Sequence, residues 1–361
     1  MDLRTVAVTL GDPAGVGPEI AVRALEAILS RDRSDASEDG GRVAPELGPE
    51  GAAFVLVGDA GVVEMAGRRF APTLTIHQTS ADSMPSRPGV YVLDVPYRGE
   101  RDARGLPIAG SSAVGLAAYD SLETATALAI GDRVGAIVTG PLNKEALARA
   151  GHVGIGHTEL LADFCGVPRS NVAMLLASDR LRVAHVSTHV ALREALDTLN
   201  AERIAEVGRL AAEWTEVSLG RRPKMAVAGV NPHAGEGGLF GTEEIDHVIP
   251  AVKELAGLGI DVTGPIPPDT VFARAIRGEF DVVLAMYHDQ GHIPSKLLGF
   301  ADTVNVTLGL PITRVSVDHG TAYDIAWAGT ADFTNMTVAL VHGLGAVRAR
   351  ASMAGSPRHV V

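Results

Sequence analysis

The stretch LAMYHDQGHIPSK, residues Leu284–Lys296, holds two histidines four positions apart, His288 and His292. Its reading decides between a helical zinc pair and a site built where a strand ends. On an α-helix both imidazoles share a face and could reach one metal ion. The zinc motif of that spacing carries a glutamate directly after its first histidine, as general base. Asp289 stands there instead. Gly291 and Pro294 both disfavour a continuous helix through the pair. The upstream run FDVVLAMY (Phe280–Tyr287) reads as a buried strand. The expectation is therefore a strand that ends before His288 and a loop that begins with it.

Outward from this stretch, short apolar runs alternate with longer amphipathic ones. Strands are expected at TVAVTL (Thr5–Leu10), AAFVLVGD (Ala52–Asp59), GAIVTGP (Gly135–Pro141) and KMAVAGV (Lys224–Val230). NVAMLLAS (Asn171–Ser178) and LRVAHVST (Leu181–Thr188) read as a strand pair. Helices are expected over Pro18–Ser30, with proline near its start, and over Ser112–Ile130. Two more fall at Asn200–Gly220, capped at both ends, and Phe333–Ser352. This alternation implies an α/β fold with a mostly parallel sheet. At roughly 100–200 residues per domain, the length predicts two domains. The segment 30–51 is rich in charge, Gly, Pro and Ser, and reads as an exposed surface insertion.

The chain of 361 residues is 46% hydrophobic but only 4% aromatic, so its core is built from Ala, Val, Leu and Ile. A net charge of −12 without a Lys/Arg stripe argues against nucleic acid as a partner. Cys165 is the single cysteine, so no intrachain disulfide can form, which fits a reducing cytoplasm. No signal-peptide core and no long uncharged apolar run appear, so no membrane span is expected.

Three histidines closely follow apolar strands: His189 after LRVAHVST, His233 in MAVAGVNPHAGEGG, and His288. In open α/β sheets ligands bind beyond the carboxyl ends of strands. Three imidazoles there could share one divalent ion and leave positions open for substrate. Taken singly, each would be a packed or capping histidine. GVNPHAGEGG (Gly229–Gly238) is either a backbone anion cradle or a tight turn. In GIGHTELLADF (Gly154–Phe164), His157 and Thr158 open a helix, where an anion is favoured and simple capping is the plainer reading. TLGDPAGVGPE (Thr9–Glu19) is glycine-rich between a strand and a helix, but its spacing fits neither the Rossmann fingerprint nor a P-loop. Lys296, Asn305 and Arg314 are polar residues in apolar surroundings and could hold a phosphate or carboxylate. Asp324, in SVDHGTAYDIAWAGTAD (Ser316–Asp332), could accept hydrogen bonds from a ribose diol.

Taken together, GDPAGVGPE, VTGPLNK, GHTELL, VSTH, GVNPHAGEGG, GTEEID, MYHDQG, VNVTLGLPITR and DHGTA resemble the 4-hydroxythreonine-4-phosphate dehydrogenase family of vitamin B6 biosynthesis. The motifs span nearly the whole chain apart from segment 30–51. The resemblance implies two α/β/α domains like those of isocitrate and isopropylmalate dehydrogenases, with the active site in the interdomain cleft. The domains would be 1–140 plus 295–361 on the cofactor side and 141–294 with the metal histidines and the dimer interface. It implies a homodimer and one divalent ion on His189, His233 and His288. Zinc suits three imidazoles, with magnesium, manganese or cobalt as alternatives. His157, Thr158, Lys296, Asn305 and Arg314 match its substrate-binding positions. His319, Gly320, Thr321 and Asp324 would meet the adenosine of NAD or NADP. On this reading His288 is a ligand and His292 is not. In that family the biosynthetic enzymes usually read MYHDQGL, whereas paralogues acting on phosphorylated sugar acids often read MYHDQGHIP, as here.

The implied reaction oxidises the 3-hydroxyl of 4-phosphohydroxy-L-threonine and then releases carbon dioxide to give 3-amino-2-oxopropyl phosphate. Lys296 would move a proton or hold the carboxylate, and Asp269 would act as acid/base or orient a histidine. Alternatives are the same chemistry on D-threonate or D-erythronate 4-phosphate, or on a dihydrodiol dicarboxylate. Outside that class stand a non-catalytic binding protein on this scaffold and a metal-dependent hydrolase.

Overall fold

In the computed structural model, residues 4–30, 51–299 and 302–354 are described. The proposed insertion 30–51 falls almost wholly outside them. The chain divides into two compact units, Met1–Arg169 with Leu310–Val361, and Ser170–Gly309.

The first unit begins with β1 (Arg4–Thr9), α1 (Gly17–Ser30), β2 (Ala52–Gly58), α2 (Ala60–Phe70), β3 (Ile76–Thr79) and β4 (Gly89–Asp94). It continues with α3 (Ser112–Ile130), β5 (Ala136–Thr139), α4 (Lys144–Arg149) and α5 (His157–Phe164). The second unit contains β6 (Ala173–Ala177), β7 (Arg182–His185), α6 (Leu192–Asp197), α7 (Ala201–Leu219) and β8 (Lys224–Ala228). There follow α8 (Ile249–Gly257), β9 (Asp261–Ile266), α9 (Pro268–Ile276), β10 (Val282–Ala285), α10 (His288–Leu298) and β11 (Val304–Leu308). The chain then returns to the first unit with β12 (Arg314–Ser316) and α11 (Thr334–Ala354).

The strands of the first unit run β3-β4-β2-β1-β5-β12, all parallel. β1, β2 and β5 are buried at nearly every position, as parallel strands covered on both faces must be. In the second unit the order is β11-β6-β7-β10-β8-β9. β6 runs antiparallel to both neighbours, and β7, β10, β8 and β9 are mutually parallel. The Asn171–Thr188 strand pair of the sequence reading is thus β6 and β7.

The unit boundaries fall after Arg169 and Gly309, where the sequence reading placed them after 140 and 294. The physical reason is packing. Leu147 of α4 and Leu160 and Leu161 of α5 share one core with Leu122 of α3 and Ile137 of β5. His157 and Thr158 therefore belong to the first unit.

The opening stretch needs a correction. The strand is as expected, but α10 begins at His288 and runs through His292 with Pro294 inside it. A proline inside a helix costs about 3 kcal/mol. Tertiary bonds offset this. Gln290, buried, accepts from Met286 N–H at 2.7 Å and donates to the Gly229 carbonyl at 2.7 Å, tying the first turn to β10 and to the end of β8. Gly291 is required by its neighbour, since a Cβ there would lie 2.4 Å from His185 Nε2.

Candidate active site

In the first unit, the site begins where β5 ends. Arg314 on β12 is buried, and its Nε and Nη2 donate to the Thr139 hydroxyl at 3.2 and 2.8 Å. Burial pulls its pKa down to about 9, so it still carries its charge at neutral pH. A buried cation gains more from an anionic ligand than an exposed one does. His157, half-buried, opens α5, and Gly156 N–H is held by Glu159 Oε2 at 2.8 Å. Burial first, then the charges of Arg314 and Lys144, hold the His157 imidazole well below its usual pKa. It is neutral in a positive setting. Thr158 follows, half-buried, in the first turn. Neutral His157, Thr158 at a helix start, and the two cations Arg314 and Lys144 make a setting that suits a phosphate or carboxylate. Sequence reasoning gave no role to Thr139, which ends β5, or to Lys144, which opens α4, though both lie in the VTGPLNK motif.

The loop after β12 carries the proposed cofactor residues. Thr321 is buried, while Gly320 and Asp324 are exposed. His319 Nδ1 lies 3.0 Å from the Gly320 carbonyl, and its Nε2 is a buried atom with no hydrogen-bond partner. The carboxylate near His319 is that of Asp332, whose pKa is lowered first by hydrogen bonds from Thr334 and then by the imidazole, and Asp324 stands exposed on the same loop.

In the second unit, His189, His233 and His288 lie beyond the carboxyl ends of β7, β8 and β10, three adjacent parallel strands. His189 and His288 approach with ring centroids 5.7 Å apart. Asp289 Oδ1 sits 2.7 Å from His288 Nδ1 and leaves Nε2 as the nitrogen for a ligand. His292 stacks on His288, 3.6 Å between centroids and 10° between planes. Its Nδ1 lies 3.1 Å from Nε2 of His185, which is fully buried on β7. Burial, then His292, lowers the His185 pKa to about 3. His288 and His292 present faces to each other, while His292 and His185, tilted by 53°, meet through ring nitrogens, so the three rings pack as a column. Among the described residues no group of three or more His, Cys, Asp or Glu is arranged to hold a metal ion. His189 and His288 are brought together, and His233 does not complete a triad with them.

His233 lies instead in a left-handed turn. His233, Ala234, Gly235, Glu236 and Gly237 have φ of 53°, 55°, 79°, 44° and 69°. Left-handed geometry costs about 1–2 kcal/mol for each non-glycine residue. The turn is braced by Glu244, a buried carboxylate that the sequence reading passed over in GTEEID. Its Oε1 accepts from Val230 N–H and Asn231 N–H, both at 2.7 Å, and Oε2 accepts from the Asn231 side chain at 2.9 Å. Of the remaining expected residues, Lys296 is exposed on α10 and Asp269 is exposed in the first turn of α9. Asn305, half-buried, donates to Met174 Sδ at 2.9 Å.

Cations near a helix start and imidazoles at strand ends suit an anionic ligand, but a scaffold of this kind does not by itself name a reaction. The comparisons with known proteins narrow it. The sequence profile described as "Pyridoxal phosphate biosynthetic protein PdxA" matches residues 50–342, and the chain belongs to that family. It is 45% identical over 341 residues to D-threonate 4-phosphate dehydrogenase of Pectobacterium atrosepticum, covering 93% of this chain and 97% of the relative. It is 42% identical over 341 residues to 4-hydroxythreonine-4-phosphate dehydrogenase of Desulforapulum autotrophicum, covering 93% of each. The crystal structure of 4-hydroxythreonine-4-phosphate dehydrogenase from Klebsiella pneumoniae superposes with a TM-score of 0.76 at 42% identity, covering 95% of this chain and 99% of the other. The chain is an oxidoreductase of the dehydrogenase class.

Proposed function

We propose that this chain oxidises the secondary hydroxyl of a four-carbon hydroxy acid phosphorylated at C4, and that the 3-oxo acid formed then loses carbon dioxide. The observation that carries the reading is buried Arg314 beside neutral His157, an anchor for a dianionic phosphate. D-threonate 4-phosphate is the leading substrate, supported by the 45% identity to an enzyme of that name and by His292 after MYHDQG. 4-Phosphohydroxy-L-threonine is the second reading, supported by the 42% relative.

A divalent cation would supply polarisation of the substrate hydroxyl, and NAD or NADP would supply the hydride acceptor. His189, His233 and His288 are the residues that would hold the cation, and a donor set of imidazoles suits zinc. One protomer brings two of these rings together, so the third donor requires movement of the His233 turn or a second copy of the chain. A homodimer fits the exposed apolar side chains of this unit: Leu239 and Phe240 beyond the turn, and Ile293 and Leu297 one helical turn apart on α10. Arg314, His157 and Thr158 would fix the phosphate. Lys296 would accept or return the hydroxyl proton or pair with the carboxylate, Asn305 would bind the substrate, and Asp269 is a weaker acid/base candidate. His319, Gly320, Thr321 and Asp324 would hold the adenosine end of the dinucleotide.

The test is nicotinamide reduction followed at its absorbance band, with the two phosphorylated acids side by side, with and without zinc or magnesium. Turnover of D-threonate 4-phosphate at a kcat/KM at least tenfold above the amino acid is expected. The reverse preference transfers the assignment to the amino acid, and no reduction with either sinks the proposal.

A further inference from the structure

The segment GDPAGVGPE, Gly11–Glu19, matched no nucleotide-binding fingerprint and was left without a task. Its contacts within the first unit supply one. Asp12, fully buried, accepts from Ala14 N–H at 2.9 Å through Oδ1 and from the Tyr323 hydroxyl through Oδ2. The Pro13 carbonyl accepts from Trp327 Nε1 at 3.3 Å. Gly15 lies so close to Thr321 that a Cβ would stand 2.9 Å from its carbonyl oxygen. Val16 N–H donates to that same oxygen at 2.9 Å. Glu19, also buried, accepts from Gly329 N–H and Ala331 N–H, each at 3.1 Å. Contact after contact is made to one loop, residues 319–331. That loop needs holding, because Ala322 and Trp327 sit at φ of 42° and 63°, left-handed values that persist only when the surroundings impose them.

We propose that Gly11–Glu19 is the mount of the dinucleotide loop, and that Asp12 acts through Tyr323 as a positioning residue for His319–Asp324. The inference rests on the proposed role of that loop in holding NAD or NADP. Burial raises the Asp12 pKa, and burial with the Asp12 contact raises that of Tyr323, so the phenol keeps the proton it donates to Asp12 at neutral pH. Glycine at position 15 is then a requirement of close approach rather than of phosphate binding.

The protein carries two tryptophans, and Trp327 is the buried one on the loop. In a Trp214→Phe background its emission and acrylamide quenching report docking directly. Tyr323→Phe keeps the ring and removes the bond to Asp12, together with the one its hydroxyl accepts from Gly110 N–H at 3.3 Å. Asp12→Ala removes the acceptor, and Asp12→Asn restores one. For Tyr323→Phe and Asp12→Ala the expected results are red-shifted, more quenchable emission and faster amide exchange over 319–331. Alongside these, the dinucleotide Kd from titration should rise about tenfold, with kcat falling less than KM rises. Asp12→Asn should recover part of each. Unchanged emission and exchange in Tyr323→Phe would overturn the mount. A loosened loop with unchanged dinucleotide Kd would also overturn the proposal, and would place the error in the cofactor role of the loop.

Discussion

The proposed anion pocket of the first unit and the histidine rim of the second both lie at strand ends, yet they are finished to different degrees. In the pocket, Arg314 is buried and bonded to Thr139, and His157 is held neutral by burial and by the neighbouring cations. On the rim, His189 and His233 are exposed, and only His189 and His288 approach each other. The part that would grip a phosphate is preorganised within the first unit, and the part that would polarise the reacting hydroxyl is not preorganised within the second. On the proposed function, binding energy from the phosphate would help assemble the reacting centre, which is how remote groups raise kcat.

The largest expected effect comes from breaking the unfinished side. His288→Ala removes a proposed ligand worth several kcal/mol in the transition state, or about 10³-fold in kcat. His288 is half-buried, so the melting temperature should move little. Full turnover in this variant would remove the rim from catalysis. Next comes the finished side. Arg314→Lys keeps a charge but loses the planar fork, and KM for the phosphorylated acid should rise about tenfold to a hundredfold. The KM for the unphosphorylated acid should stay the same, and an equal rise for both would show that Arg314 binds something other than phosphate.

The smallest effect concerns the column behind the rim. His185 has a folded pKa near 3 against about 6.5 unfolded, so below pH 6.5 the unfolded chain takes up a proton that the native chain refuses. Its contribution is full above pH 6.5 and is lost as pH falls towards 3, at about 1.4 kcal/mol per pH unit. Urea unfolding of metal-free protein from pH 7 to pH 4 measures it, and His185→Gln should flatten the slope. An unchanged slope would mean that His185 charges in the native state.

Much of the fold was legible because local signals and burial agreed. α7 has Asn200 accepting from Arg203 N–H at its start and Gly220 in the left-handed region at its end, as its sequence announces. α10 was misread because Gly291 and Pro294 speak against helix locally, while the reasons for it are distant: Gln290 reaching Gly229, and His185 filling the space beside Gly291. The site divides the same way. Strand-end position picked out His189, His233 and His288, whereas the Glu244 brace under His233 is a tertiary fact that spacing cannot carry. Thr139 and Lys144 were within a quoted motif, but their roles emerge only once Arg314 is laid beside β5.

The path of the chain has a consequence for how the protein is made. The second unit is continuous and is inserted into the first, which lacks β12 and α11 until residues beyond Leu310 have been synthesised. At typical synthesis rates the ribosome needs on the order of ten seconds to cross the insertion. Throughout that interval β5 waits as an open sheet edge without β12. The nascent chain is therefore most open to mispairing before Leu310–Val361 is released, and a chaperone would protect the amino-terminal half first.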